Sequence, residues 1–226
     1  MARGYEHATA VAAEAVTAAE NIGPMAMMLY GLPRPVEEVD AIAVMSGLGE
    51  HWRVTDAVRA WNNSPDVDHL LIAGANRDEK SFVEPTLENL ARPPFNLTRT
   101  EGVHAQPHAL HTPDQAEWLV GKFQDLDVES AALYVSPYHL FRAYGTVLKS
   151  MIKSDVRIPV IPMPVSVSPD TATPETGVMP WEAIDGEVRR ISAYQEKGDV
   201  ATFGELREYI SWMWRQPLLQ AHDLSR

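Results

Sequence analysis

Residues 39–45 read VDAIAVM and lead directly into Ser46 and Gly47. A short run of branched aliphatic side chains that ends at a turn-forming glycine is typical of a β-strand buried on both faces. The same signal returns at residues 69–73 (HLLIA), which lead into Gly74, and a helical pattern at about residues 53–61 separates the two runs. This order of strand, glycine, helix and strand is typical of a parallel βαβ unit.

The rest of the chain continues the alternation. Further strands are predicted near residues 97–103, 130–135 and 156–161, and further helices near residues 112–124, 138–152, 181–195 and 203–214. An additional helix is predicted from Glu6 to Ile22, ended by Gly23-Pro24, and the last two helices are expected to carry Glu and Arg on outer faces. The sequence therefore predicts a three-layer, Rossmann-like α/β fold, with a mainly parallel sheet and helices on both faces.

The length of 226 residues, 45% of them hydrophobic, suits one domain with one core. We predict a single domain over residues 1–226. Within it, residues 1–35 are expected to form an N-terminal helical addition, residues 36–164 the sheet core and residues 165–226 a C-terminal helical addition.

The composition excludes several classes of partner and site. A formal net charge of −12 is the wrong sign for binding nucleic acid or anionic lipid through the overall field, so we expect neither nucleic acid nor membrane as a partner. No apolar run reaches the roughly 18 residues of a membrane-spanning helix, and no signal peptide is apparent, which predicts a cytoplasmic protein. The absence of cysteine excludes disulfides, thiolate-bound zinc, iron–sulfur clusters and thiol nucleophiles.

Candidate ligand contacts follow the strands, because ligands of open parallel sheets bind beyond the carboxyl ends of the strands. Glycines let backbone amides approach an anion, and hydroxyl groups donate hydrogen bonds to it. Arginine adds a permanently charged guanidinium group that can donate two parallel hydrogen bonds. The resulting pocket is predicted to bind a small anionic or nucleoside-containing ligand. Its predicted ligand-binding residues are Ser46, Gly47, Gly74, Asn76, Arg77, Thr112, Ser136, Tyr138 and Arg142.

Two residues after the fourth strand have a sharper predicted role, each with an alternative. His139 is the candidate general acid or base, because imidazole titrates near neutrality, but a histidine here also suits a hydrogen bond that holds the loop. Arg142 lies near a helix N-terminus, where a positive charge is destabilising unless an anion lies next to it. That anion is either the ligand or an internal acid such as Asp114 or Glu117.

A metal-dependent hydrolase is one alternative function. It rests on His104, His108 and His111, with Asp114 close behind them. Their spacing differs from a helical HExxH pattern, and Pro107 interrupts any regular helix between them. No metal is therefore assigned.

Two further alternatives remain open. A serine–histidine–acid arrangement would combine Ser46 or Ser136 with His139, but the chain has no GxSxG elbow. The dinucleotide pattern GxGxxG and the phosphate-binding pattern GxxxxGK[ST] are absent as well. The remaining alternative is a non-catalytic Rossmann-like scaffold or regulatory protein.

The stretch Val135–Ala143, VSPYHLFRA, resembles a motif of the YdcF/SanA/ElyC-like family of unknown function. Similar matches are the strand DAIAVMSG at residues 40–47 followed by Arg53, the run IAG at residues 72–74, and TPDQA at residues 112–116. The resemblance covers about residues 38–195. Trp181 and the segment GEVRRI at residues 186–191 resemble the soluble YdcF branch, which implies a cytoplasmic protein without a membrane anchor.

The resemblance implies a Rossmann-like sheet with its site at the strand ends. It adds Arg53 and Gln115 to the predicted ligand-binding residues and implies S-adenosylmethionine as a candidate ligand, with a transferase or hydrolase activity left open. Two departures occur: Ala73-Gly74-Ala75 replaces the family's SGG, and neither His104 nor Gln106 supplies the acid found upstream of the helix start. An acid–base mechanism is therefore not carried over from the family.

Overall fold

The computed structural model describes residues 22–223. Its sheet has five strands in the order β3-β2-β1-β4-β5, and every neighbouring pair is parallel. The strands are β1 (Ala41–Met45), β2 (His69–Ala73), β3 (Val103–Ala105), β4 (Ala131–Val135) and β5 (Val160–Pro164). Helices flank the sheet, so the predicted three-layer Rossmann-like α/β fold is confirmed.

Helices follow the strands and enclose the sheet. They are α1 (residues 22–30), α2 (His51–Asn63), α3 (Leu87–Leu90), α4 (Thr112–Asp125), α5 (Leu140–Lys153), α6 (Pro180–Glu196), α7 (Phe203–Met213) and α8 (Pro217–Gln220), with a 3-10 turn at Pro137–His139 before α5. Helix α2 packs on β1 and β4, whereas α4 packs on β2 and against α5. Helix α6 contacts α5 and the 3-10 turn, which brings the C-terminal addition to the carboxyl end of β4.

Burial on both faces explains the uninterrupted apolar runs. All five residues of β1 are fully buried, and Ile42 is paired with Leu70 on one side and Ala132 on the other. A strand in this position has no solvent face, so it shows no alternation of apolar and polar residues.

Two predicted strands begin later in the structure. The strand predicted over residues 97–103 starts at Val103, because the preceding Gly102 turns the chain with a φ of +79°. The strand predicted over residues 156–161 occupies Val160–Pro164 instead. Its prolines lack an N–H, which a strand at the sheet edge tolerates and a central strand does not.

The N-terminal helix also differs from the prediction. Apart from Ile22, the segment predicted from Glu6 to Ile22 lies outside the described residues. Residues 22–30 are helical, so Gly23-Pro24 lies within a helical segment instead of ending one. Burial of Leu29, which is 1% exposed, stabilises this segment through tertiary contacts that local propensity does not report. Within residues 22–223, no helix combines the length and apolar character that crossing a membrane requires.

Candidate functional site

A cleft of about 480 Å³ lies beyond the carboxyl ends of β1, β2 and β4, with α6 along one side. Its size falls in the range of roughly 300–1,000 Å³ that small-molecule sites occupy. We call it the strand-end cleft. The predicted site residues that line it are Ser46, Gly47, Arg53, Asn76, Thr112, Gln115, Tyr138, His139 and Arg142.

Side-chain bonds to backbone carbonyls hold the edge of the strand-end cleft at β1 and β2. Gln115 Nε2 donates to the carbonyl of Ser46 at 2.7 Å and to that of Gly74 at 2.6 Å. The hydroxyl of Ser46 donates to the carbonyl of Ala73. Polar groups predicted to bind ligand therefore also fasten two strand ends together.

The loop between β1 and α2 lies in unusual backbone geometry. Gly47, Leu48 and Gly49 have φ values of +135°, +55° and +69°. Of these three residues Leu48 is the most informative, because a residue with a bulky side chain is strained at positive φ. Backbone strain of this kind concentrates at functional sites. Leu48 and Gly47 line the strand-end cleft.

Three predicted contacts lie away from the lining of the strand-end cleft. Gly74 is buried, and a Cβ there would meet Gln106 O at 2.6 Å, so its glycine is required by the close approach of another chain segment. Arg77 is exposed, with Glu84 3.6 Å away. Ser136 is fully buried and takes part in a polar cluster next to the cleft.

That polar cluster, the Glu50 cluster, consists of Glu50, Arg53, Ser136 and Tyr138. Glu50 and Arg53 form an ion pair although each is only 2% exposed. Arg53 Nε donates to Ser136 Oγ at 2.8 Å, and the hydroxyls of Ser136 and Tyr138 donate to Glu50. Burial, opposed by Arg53, raises the pKa of Tyr138 to about 12, so the phenol keeps its proton at neutral pH.

A second cluster, the Glu187 cluster, consists of His139, Arg142, Glu187 and Arg190. Arg142 meets the Glu187 carboxylate with two contacts, and its Nη1 donates to Thr112 Oγ1 at 3.1 Å. Arg190 adds a contact of 2.8 Å and His139 Nδ1 one of 3.1 Å. Glu187 is 4% exposed, which corrects the expectation that the glutamates of this helix face outward.

The internal partner of Arg142 is thus Glu187, not Asp114 or Glu117. Asp114 contacts His111 at 3.2 Å and accepts a hydrogen bond from the Leu110 amide. Arg142 nevertheless lines the strand-end cleft, with 14% of its side chain exposed. The Arg142 guanidinium already forms an ion pair with Glu187 inside the protein, so it does not need a bound anion to balance its charge.

The charges of the Glu187 cluster follow from burial and pairing. Burial, together with the Arg142 cation, lowers the pKa of His139 to about 4, so the imidazole is neutral at pH 7. Burial alone would raise the pKa of Glu187, but the hydrogen bonds from His139 and Arg142 outweigh it and hold that pKa well below its ordinary value. At neutral pH the cluster combines a carboxylate, a neutral imidazole and two guanidinium groups.

The sequence analysis did not identify several residues of this site, namely Glu50, Glu79, Glu182, Glu187, Arg190 and Tyr194. Glu50 and Glu187 each precede an arginine by three residues, at Arg53 and Arg190. Glu187 and Arg190 lie on one face of α6, and Glu50 precedes α2 by one residue, so the spacing of three is a detectable signal in both cases. The signal does not reveal burial, because most pairs at this spacing lie on solvated surfaces.

The structure does not assemble the metal site considered above. His104 packs its ring on His69, with the centroids 5.5 Å apart, while His111 contacts Asp114. Among residues 22–223 no three histidine or acidic side chains are grouped so as to hold a metal ion. His104, His108 and His111 are therefore not brought together as a metal site in this structure.

The serine–histidine arrangement is not formed either. Ser46 donates its hydroxyl to the Ala73 carbonyl and Ser136 donates to Glu50, so neither hydroxyl donates to His139. A serine nucleophile needs its base within hydrogen-bond reach. His139 instead directs Nδ1 to Glu187.

Balanced charge distinguishes the strand-end cleft from a phosphate pocket. Its charged lining comprises three arginines and three glutamates, namely Arg53, Arg142, Arg190, Glu79, Glu182 and Glu187. The aromatic rings of Tyr138 and Tyr194 complete its polar and apolar lining. Such a site suits a ligand with charges of both signs and a flat ring better than it suits a polyanion.

Comparisons of the chain with protein-family models and with curated proteins found no match, so the family resemblance remains a prediction from the motifs.

Proposed function

We propose that this protein binds, as an enzyme or as a ligand-binding protein, a small nucleoside-containing molecule with charged groups in the strand-end cleft. The observation that carries the proposal is the balanced set of arginines and glutamates in a cleft of about 480 Å³ at the carboxyl edge of a parallel sheet. Ligands of this fold bind at that edge.

S-adenosylmethionine, the ligand that the family resemblance implies, suits this chemistry. It carries a carboxylate, an ammonium group, a sulfonium cation and an adenine ring. Glu79 and Glu182 can face its cations, the half-exposed Arg190 can face its carboxylate, and a tyrosine ring offers a stacking partner for the base. A nucleoside triphosphate would need several free cations, whereas Arg53 and Arg142 are both paired with buried carboxylates.

The motifs support a placement in the YdcF branch and a cytoplasmic location as part of the same proposal. The segment VSPYHLFRA supplies Ser136 and Tyr138 to the Glu50 cluster and His139 and Arg142 to the Glu187 cluster. Every polar side chain of the motif therefore has a partner at the strand-end cleft. These contacts support the proposal that this protein and the YdcF branch use the same site.

A non-catalytic scaffold is the second candidate. It is favoured by the pairing of Arg53 with Glu50 and of Arg142 with Glu187, because buried ion pairs of this kind also occur as purely structural elements. The two candidates differ in whether the strand-end cleft takes a ligand.

A binding screen by thermal shift and calorimetry tests the proposal. The probes are S-adenosylmethionine, its demethylated thioether, adenosine, ATP and inorganic phosphate, each added alone. A probe at 100 times its dissociation constant should stabilise the protein by about 2.7 kcal/mol. We expect stabilisation by S-adenosylmethionine or its thioether and little by ATP or phosphate.

Matched arginine variants locate the binding. Arg190→Ala removes a half-exposed cation from the strand-end cleft, and Arg207→Ala removes an exposed cation from α7 as the control. We expect a tenfold or greater loss of probe affinity for the first variant and none for the second. The absence of stabilisation by every probe would contradict the proposed function and favour the scaffold.

A further inference from the structure

The neighbours of His139 determine where its protons lie. His139 is 6% exposed and lines the strand-end cleft, and its Nδ1 lies 3.1 Å from Glu187 Oε2. Glu187 also accepts hydrogen bonds from Arg142 and Arg190, which keep it ionised. An ionised carboxylate only accepts hydrogen bonds, so Nδ1 must carry the proton that joins the two residues.

A neutral imidazole carries only one proton, so a proton on Nδ1 leaves Nε2 bare. Burial and Arg142 keep the ring in this neutral form at pH 7. Nε2 makes no hydrogen bond to another residue in the range 22–223 that the structure describes. The same arrangement of a carboxylate, an oriented imidazole and a free nitrogen is the general-base pair used by many unrelated enzymes.

We propose that Glu187 is a positioning residue that holds His139 as the Nδ1-protonated tautomer and so presents Nε2 to the strand-end cleft as a proton acceptor. The inference rests on the proposed function, because the acceptor acts on a ligand bound in that cleft. It narrows the ligand to one that carries a transferable proton, on a hydroxyl or an amine. When that proton moves to Nε2, the electron pair stays on the ligand atom, and the imidazolium that forms is stabilised by Glu187.

Arg142 and Glu187 have opposite effects on the protonation of His139. The Arg142 guanidinium opposes a positive charge on His139, while Glu187 favours one. The two oxygens of Glu187 have different partners. Oε2 contacts His139 Nδ1 and Arg142 Nε, and Oε1 contacts Arg142 Nη2 and Arg190. The Tyr138 ring also faces the imidazole, with the centroids 6.4 Å apart, and Arg53 opposes its positive charge from α2.

Histidine nitrogen NMR on the full chain tests the proposal without any ligand. In ¹⁵N-histidine-labelled protein, two-bond proton–nitrogen correlations report which ring nitrogen is protonated, and His139→Gln assigns the signals. At pH 7 we expect a protonated Nδ1 and a bare Nε2, with a titration midpoint near pH 4. A ring protonated on Nε2, or on both nitrogens, would overturn the proposal even if the ligand screen succeeded.

Variants of α6 test the role of Glu187. Glu187→Gln should abolish the single tautomer, whereas Asp185→Asn removes an exposed carboxylate from the same helix and should leave His139 unchanged. If Glu187→Gln fails to fold, Glu187→Asp keeps the charge but withdraws it from Nδ1 and should give a mixture of tautomers. An unchanged His139 spectrum in a folded Glu187 variant would refute the positioning role.

Discussion

Arg142 and Glu187, 45 residues apart in the chain, fasten α5 to α6 through contacts of 2.6 Å (Nε to Oε2) and 3.1 Å (Nη2 to Oε1). The pair joins the sheet core to the C-terminal addition at the wall of the strand-end cleft. Two parallel contacts between a guanidinium and a carboxylate fix orientation as well as distance. This pair therefore sets the position of the residues around it.

Arg142→Ala should destabilise the folded protein. The change leaves the buried Glu187 carboxylate without its two-contact partner, and breaking a buried pair costs about 3 kcal/mol or more. Arg190→Ala is the control, because Arg190 meets the same carboxylate from a side chain that is 54% exposed and should cost below about 1 kcal/mol. Urea unfolding measures both, and equal stability of Arg142→Ala and wild type would refute the structural importance of the pair.

Tyr138→Phe should cost roughly 1.5 to 3 kcal/mol of stability. The phenol donates to the buried Glu50 carboxylate, and hydrogen bonds to charged groups fall in this range. The matched change Tyr194→Phe removes a phenol that also lines the strand-end cleft but donates to no residue in the described range, and it should change stability by less than about 0.5 kcal/mol. Chemical denaturation compares them, and similar losses for both would argue against the Glu50 cluster.

Stability should fall as the pH decreases from about 6.5 to about 4. Burial lowers the pKa of His139 from its ordinary value of 6.5 to about 4 in the folded protein. Between these two pH values the imidazole is protonated in the unfolded chain and neutral in the folded protein, so a decrease in pH favours unfolding. The contribution is complete above pH 6.5 and decreases by about 1.4 kcal/mol per pH unit below it. Glu187, whose pKa is lowered, loses its contribution only at more acidic pH, below its ordinary value of 4.5.

Histidine variants isolate this effect. His139→Gln should reduce the pH dependence of the free energy of unfolding between pH 6.5 and 4 and leave the contributions of His51 and His104, whose pKa values burial also lowers. The exposed His108→Gln should keep the wild-type slope. Denaturation curves at several pH values give the comparison. An identical slope in all three proteins would show that His139 is not held neutral by its surroundings.

Gly74→Ala should be destabilising by about 1 to 3 kcal/mol. A Cβ at this position would lie 2.6 Å from Gln106 O and 2.7 Å from His108 Cα, and these backbone atoms move only if the whole segment after β3 shifts. Gly121→Ala is the opposite case: nothing lies within 4 Å of the added Cβ, and alanine in a helix gains about 1 kcal/mol over glycine. Thermal unfolding should therefore shift in opposite directions, and a neutral Gly74→Ala would contradict the close approach.

Local sequence patterns predicted the sheet well where burial acts along the whole strand. β2 coincides with the predicted residues 69–73, and β1 begins two residues after the predicted run 39–45. Both lie inside the sheet, where two covered faces demand an unbroken apolar run. The predicted position of the edge strand β5 was wrong, because prolines in a sequence argue against a strand. A strand at the sheet edge tolerates them, since one of its sides forms no hydrogen bonds to a neighbour.

The sequence by itself determined the parallel fold and indicated that the segments after β1, β2 and β4 meet at one edge, because the carboxyl ends of parallel strands share one edge. Only the tertiary structure decided which charges are paired there. Glu187 and Arg190, three residues apart, are indistinguishable in sequence from a solvated helix pair, yet docking of α6 against α5 buries Glu187 between Arg142 and His139. Burial and the long-range partners it brings depend on how helices pack, which the spacing of residues within one helix does not specify.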